Sequence, residues 1–146
     1  MIDQLTEAAN NIRSRGVIQP EIGIILGTGL GKGFIREIQN QLVLDYKTIP
    51  HFPVSTVESH SGELIYGDIH GKKILAMRGR THYYEGYSMQ QVTLPVRTMK
   101  MLGVKNLLIS NAAGNLNRAW KKGELMLLDD HIILQTDNPM RNKNLD

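Results

Sequence analysis

The sequence predicts an α/β fold built on a central mixed β-sheet flanked by helices. Three observations carry that prediction. Helical periodicity alternates with short apolar runs of strand character, a hairpin pattern in the middle demands an antiparallel pair, and 146 residues suffice for one hydrophobic core. No repeat, low-complexity tract or linker interrupts the pattern, so residues 1–146 are expected to form a single α/β domain.

Ile2, Leu5, Ala8, Ala9 and Ile12 recur at helical spacing and predict a helix over residues 3–15, stopped by Gly16. Pro20 leads into Ile22, Gly23, Ile24, Ile25 and Leu26, a buried strand, and then into a glycine turn, Gly27-Thr28-Gly29-Leu30-Gly31. A short helix or turn is expected over residues 34–38, and Leu42, Val43 and Leu44 form a short strand. Pro50 and Pro53 place residues 49–53 in an extended segment, because proline disfavours helix in the residue before it.

Residues 63–66 and 73–77 read as the two strands of a hairpin joined through Asp68, Ile69, His70 and Gly71. Ser88 and Gln91 form a capping box that opens a helix with Met89, Val92, Val96 and Met99 on one face. Pro95 predicts a kink in it and Gly103 its end. Residues 105–111 and 124–134 supply further strands. The polar stretch after Leu134 seals no core, so the chain is expected to be incomplete at its C-terminus.

Composition narrows the function classes. Hydrophobic residues at 41% and charged residues at 21% are ordinary for a soluble globular protein. The net charge of +3 comes from lysines scattered along the chain, which argues for a solvated surface and against a nucleic-acid stripe. With no cysteine there is neither a disulfide framework nor a thiolate metal site. The N-terminus lacks the apolar core of a signal peptide, and no run approaches the ~18 apolar residues of a membrane span. A cytoplasmic protein acting on neither membrane nor nucleic acid is expected.

The glycine turn after the first strand could seat an anion on backbone N–H groups beside the Thr28 hydroxyl, or could simply be a tight turn. Lys32 breaks the dinucleotide fingerprint, and Gly33 breaks the P-loop pattern. Asp45, near the end of the next strand, stands about where a ribose-binding acid would, which keeps a nucleotide-binding module open as an alternative. His51, His60, His70 and His131 carry no role from their local sequence alone.

Arg80, His82, Tyr84 and Glu85 follow a strand and Gly79, and strand ends are where α/β sheets bind ligands. In an extended segment Arg80, His82 and Tyr84 share one side, with Thr81 and Tyr83 turned away toward packing. Arginine offers a planar fork of donors to phosphate, and histidine adds a donor of tunable charge. Asn111-Ala112-Ala113-Gly114 ends a later strand with small residues, suited either to close ligand approach or to tight packing.

Taken together, GTGLG at 27–31, IPHFPVSTVESHSG at 49–62, GRTHYYEGY at 79–87 and NAAG at 111–114 resemble the trimeric purine nucleoside phosphorylase family. The most specific part is G-R-x-H-x-Y-E-G-Y; related methylthioadenosine phosphorylases differ after G-R-x-H. The resemblance implies a pentosyl-transferring enzyme of purine salvage. It would cleave purine (deoxy)ribonucleosides with phosphate to the free base and (deoxy)ribose 1-phosphate. Phosphate would be a co-substrate, with no cofactor or metal, in a homotrimer.

Carried over residue by residue, the resemblance gives Thr28, His60, Arg80, His82 and the Ala112 N–H to phosphate and Tyr84 to ribose. Arg80 and His82 would be the catalytic pair, with Glu85 orienting its neighbours. Thr28 stands where serine is usual, Ser59 where glycine is common, and Asn115 where glycine is usual; no chemical group is lost. The family's purine-binding glutamate and asparagine, and a further phosphate-binding serine, lie beyond this stretch. The chain thus resembles the N-terminal half, with an anion site and part of a sugar site, and an inactive fragment is the other expectation.

Overall fold

The computed structural model describes residues 1–27, 29–55 and 62–141, the Lys32 side chain excepted. Helix α1, Ile2–Ser14, buries Leu5, Ala8, Ala9 and Ile12, the i, i+3, i+4, i+7 stripe expected from the sequence. Ile2, at the margin of that stripe, is exposed. Arg15 and Gly16 close the helix by donating to the Ile12 and Arg13 carbonyls, with Gly16 at φ +104°.

Strand β1, Ile22–Leu26, leads into the glycine turn and a short helix α2, Gly31–Ile35. This helix starts earlier than the sequence suggested; turn hydrogen bonds carry the chain on to Ile38. Strand β2, Gln39–Asp45, is longer than its apolar centre, with a register shift between Gln39 and Leu42.

A 3-10 turn, Tyr46–Thr48, follows. The stretch expected to be extended is instead a turn. Pro50 supplies a fixed φ, His51 takes φ +64°, and the Phe52 N–H donates to the Ile49 carbonyl at 3.3 Å. Proline at the second position and a left-handed third residue are the signature of a type II turn. The prolines exclude helix, as argued, but they favour turning over extension.

Strands β3, Glu63–Ile69, and β4, Lys72–Arg78, form the expected hairpin. Only His70 and Gly71 lie between them, at φ +48° and +76°, the two-residue geometry whose twist matches that of the flanking strands. Helix α3, Met89–Leu102, opens on the predicted cap: the Gln91 N–H donates to Ser88 Oγ, and Gln91 Oε1 accepts from the Ser88 N–H. The helix runs through Pro95, and Gly103 at φ +108° terminates it. Its buried face is Met89, Leu94, Pro95, Thr98, Met99 and Leu102, so Val92 and Val96 lie at the flank and not at the centre.

The final strand, β5, is Asn106–Ile109. The strand order is β2-β3-β4-β1-β5. β4, β1 and β5 are parallel; β2, β3 and β4 are antiparallel. The mixed sheet with flanking helices expected from the sequence is therefore present. One layer packs α1 and α3 residues against Ile25, Leu75 and Met77; the opposite face gathers Ile24, Leu26, Ile65, Ile74 and Ala76 with Ile38 and α2. Burying each such leucine, isoleucine or methionine side chain contributes roughly 1.5–3 kcal/mol.

Residues 124–134, expected to form a strand, have no regular structure. A strand needs a hydrogen-bonded neighbour, and none of the described strands pairs with this segment. Leu125, Leu127, Ile132 and Leu134 are exposed there. Apolar character alone does not make a strand.

Candidate active site

The three parallel strands end side by side, and Arg80, the start of the glycine turn and Ser110 meet there. At the end of β4 the chain turns at Gly79, φ +91°, whose carbonyl accepts the Tyr46 hydroxyl at 2.9 Å. Tyr46 is buried and packs edge-on against Phe52, ring centroids 5.4 Å apart. Burial pushes the Tyr46 phenol well above its ordinary pKa, and the charge of Glu63 adds to the shift. The hydroxyl thus stays protonated and donating, holding Gly79 as the backbone enters Arg80.

Arg80 donates from Nη1 to the Ser110 carbonyl at 3.1 Å, just beyond β5. Ser110 Oγ accepts the Gly27 N–H at 3.0 Å, just beyond β1, and donates to the Ile25 carbonyl at 3.1 Å. The two backbones approach so closely that a Cβ on Gly27 would lie 2.6 Å from the Ser110 carbonyl oxygen and 2.7 Å from Asn111 Cα. Arg80, the glycine turn and the NAAG segment are thereby brought together. Ala112 sits in that segment, exposed, two residues past Ser110.

His82 has extended backbone, φ −118° and ψ 153°, but residues Tyr83–Glu85 then wind into a 3-10 turn. The extended run that would have aligned Arg80, His82 and Tyr84 stops at His82. The His82 and Tyr84 rings nonetheless meet, stacked at 4.8 Å with planes 11° apart. Thr81 is buried, as its expected packing role requires, whereas Tyr83 is 51% exposed. A turn of three residues per revolution replaces strict alternation, which is why Tyr83 does not pack.

Glu85 is the organiser of this corner, with only 2% of its side chain exposed. Its Oε1 accepts the His82 N–H at 2.7 Å and meets His82 Nδ1 at 3.0 Å, while Oε2 accepts the Ser55 hydroxyl at 3.0 Å. The Tyr87 hydroxyl donates to the Val54 carbonyl at 2.7 Å and accepts the Val54 N–H at 3.3 Å. Residues 54–55 are so pinned beside residues 82–87. Thr28 and His60, the other two predicted phosphate contacts, lie outside the described residues.

Local sequence missed Tyr46, Ser55 and Ser110. Ser110 had a signal, a lone hydroxyl ending an apolar strand; Tyr46 and Ser55 had none, because their partners are distant in sequence. Asp45 loses its proposed ribose role. Its Oδ1 caps the 3-10 turn by accepting the Lys47 N–H at 2.8 Å, and β3 and β4 stand between its strand and β1. A dinucleotide fold needs that acid beside the glycine turn.

Among the described residues no group of three or more His, Cys, Asp or Glu side chains could hold a metal ion, and no helix is long and apolar enough to cross a membrane.

The family model of the phosphorylase superfamily matches residues 21–146. Purine nucleoside phosphorylase 1 of Bacillus subtilis is 48% identical over 144 residues, covering 99% of this chain and 53% of that protein. The purine nucleoside phosphorylase of Rattus norvegicus is 43% identical over 136 residues, covering 91% and 47%. Among solved structures, isoform 2 of the Schistosoma mansoni purine nucleoside phosphorylase, in complex with cytosine and ribose-1-phosphate, superposes with TM-score 0.76 at 49% identity. That match covers 84% of this chain and 42% of the other. The chain spans about half the length of the curated relatives it matches. With the model match running from β1 through the strand-end cluster to Asp146, the chain belongs to the phosphorylase superfamily.

Proposed function

We propose that this chain is part of a purine nucleoside phosphorylase, supplying its phosphate-binding corner and part of its ribose site. The observation that carries this reading is Arg80 held at the parallel strand ends, its guanidinium hydrogen-bonded to the segment that bears Ala112. Arg80, His82, the Ala112 N–H, Thr28 and His60 are the proposed phosphate ligands, and Tyr84, stacked on His82, the ribose contact. The relatives' names support the choice of substrate, as do the Schistosoma enzymes' complexes with inosine, adenosine, hypoxanthine and ribose-1-phosphate.

In the proposed reaction a phosphate oxygen forms a bond to C1′ as the bond from C1′ to the purine nitrogen breaks. The base leaves with that electron pair and takes up a proton. Positive charge builds on the sugar, and the bound phosphate both attacks and stabilises it. Arg80 and His82 do their work by fixing that anion. Phosphate is a co-substrate, and no cofactor enters. Residues 1–146 act as one α/β domain within the longer catalytic unit, in a cytoplasmic homotrimer; for the trimer the support is the family resemblance alone.

The test is release of hypoxanthine from inosine by the full-length protein. Release that depends on phosphate or arsenate is expected. Equal release without either rejects the proposal.

A further inference from the structure

Ser110 makes four hydrogen bonds at the junction of three strands. Its backbone N–H donates to the Ile25 carbonyl at 3.0 Å, continuing the β1–β5 ladder. Its hydroxyl donates to the same carbonyl at 3.1 Å and accepts the Gly27 N–H at 3.0 Å. Its own carbonyl accepts Arg80 Nη1 at 3.1 Å. A hydroxyl is one donor and an acceptor at once, and this site uses both roles. Alanine or valine would continue the apolar strand but would strand the Gly27 N–H, which lies past the last β1 residue.

We infer that Ser110 is a positioning residue that sets the spacing between the glycine turn and the Arg80 guanidinium, and thereby the affinity for phosphate. The inference rests on the phosphorylase reading above. Its physical basis is the shared anchor. Gly27 just beyond β1 and Arg80 beyond β4 are both hydrogen-bonded to Ser110, so a shift of Ser110 moves both sides of the strand-end cluster together. The two backbones already pack closely there, for a Cβ added to Gly27 would lie 2.6 Å from the Ser110 carbonyl oxygen.

The experiment is steady-state kinetics of the full-length protein, with phosphate and inosine varied separately, beside calorimetric titration of inorganic phosphate. Ser110→Ala is expected to raise the phosphate KM and Kd about tenfold, the usual size of one lost hydrogen bond. The inosine KM should stay within about twofold, because no hydrogen bond of Ser110 reaches the sugar corner at His82 and Tyr84. Ser110→Thr, which keeps the hydroxyl, should restore most of the phosphate affinity.

Should Ser110→Ala fail to fold, Ser110→Cys keeps comparable bulk with a weak donor and acceptor, and it should show the same selective loss. An unchanged phosphate KM in a folded Ala or Cys variant overturns the inference while leaving the phosphorylase reading intact. So does an equal rise in both KM values without rescue by threonine. A wild-type protein that neither binds nor uses phosphate removes both.

Discussion

Glu85 Oε1 stands 2.7 Å from the backbone nitrogen of His82 and 3.0 Å from its ring Nδ1, so one carboxylate oxygen holds both the backbone and the ring of that histidine. A carboxylate only accepts, which makes Nδ1 the proton-bearing nitrogen and orients the imidazole. Glu85→Ala is expected to lower kcat/KM for phosphate about ten- to hundredfold, since hydrogen bonds to charged groups are worth ~1.5–3 kcal/mol. Glu85→Gln, which keeps one acceptor, should lose less. Equal kinetics for the wild type and the Ala variant would show that His82 needs no such hold.

Replacing Arg80 separates fork geometry from charge. Lysine retains the charge as a point on a flexible stem and loses the planar pair of donors. Arg80→Lys and Arg80→Ala should both raise the phosphate KM, alanine by about ten- to hundredfold and lysine by less, with the inosine KM little changed. Initial rates at varied phosphate measure this; unchanged phosphate kinetics would reject the assignment of Arg80.

Tyr46→Phe removes a buried donor and leaves the Gly79 carbonyl without it, a loss of ~1–3 kcal/mol readable as a shift in the urea midpoint. The raised Tyr46 pKa also fixes a sign. Above pH ~10 the unfolded phenol ionises while the folded one keeps its proton, so the folded state binds more protons and stability falls as pH rises. The full contribution is present below pH ~10, and the slope above it approaches about 1.4 kcal/mol per pH unit. Tyr46→Phe should flatten the stability profile between pH about 9 and 11. Identical slopes in the two proteins would contradict a buried, protonated Tyr46.

Gly27→Ala should be among the most damaging single substitutions. Its methyl would press on the backbone of Ser110 and Asn111, which cannot rotate away as a side chain could. Overpacking of this kind costs ~1–3 kcal/mol or more. Thermal unfolding should register the loss, and phosphate use should fall with it. A variant as stable and active as the wild type would mean that the β1 and β5 ends separate easily.

Much of the candidate site is legible in residue types and their order along the chain. Gly79 through Tyr87 concentrates arginine, histidine, glutamate and tyrosine immediately after a strand, a pattern with chemical meaning wherever the strand ends. The role of Glu85 as an orienting group follows from the resemblance, and its contacts with His82 and Ser55 give that role a geometry. The alignment of Arg80, His82 and Tyr84 by alternation does not hold, because the Glu85 carboxylate accepting the His82 N–H and the left-handed Gly86 wind Tyr83–Glu85 into a 3-10 turn.

Local patterning suffices for α1, β1, the β3–β4 hairpin and the Ser88 cap, since each depends on residues within a few positions of one another. Strand order needs the whole fold. That β5 lies beside β1, and that Ser110 thereby faces Gly27 across 83 positions of sequence, depends on backbone pairing between segments far apart in the chain. The missing strand at residues 124–134 makes the same point in reverse, for apolar side chains favour burial but only a neighbour's free N–H and C=O groups make a strand. Chemistry could be read from residue types; the tertiary structure decided which of them share a wall.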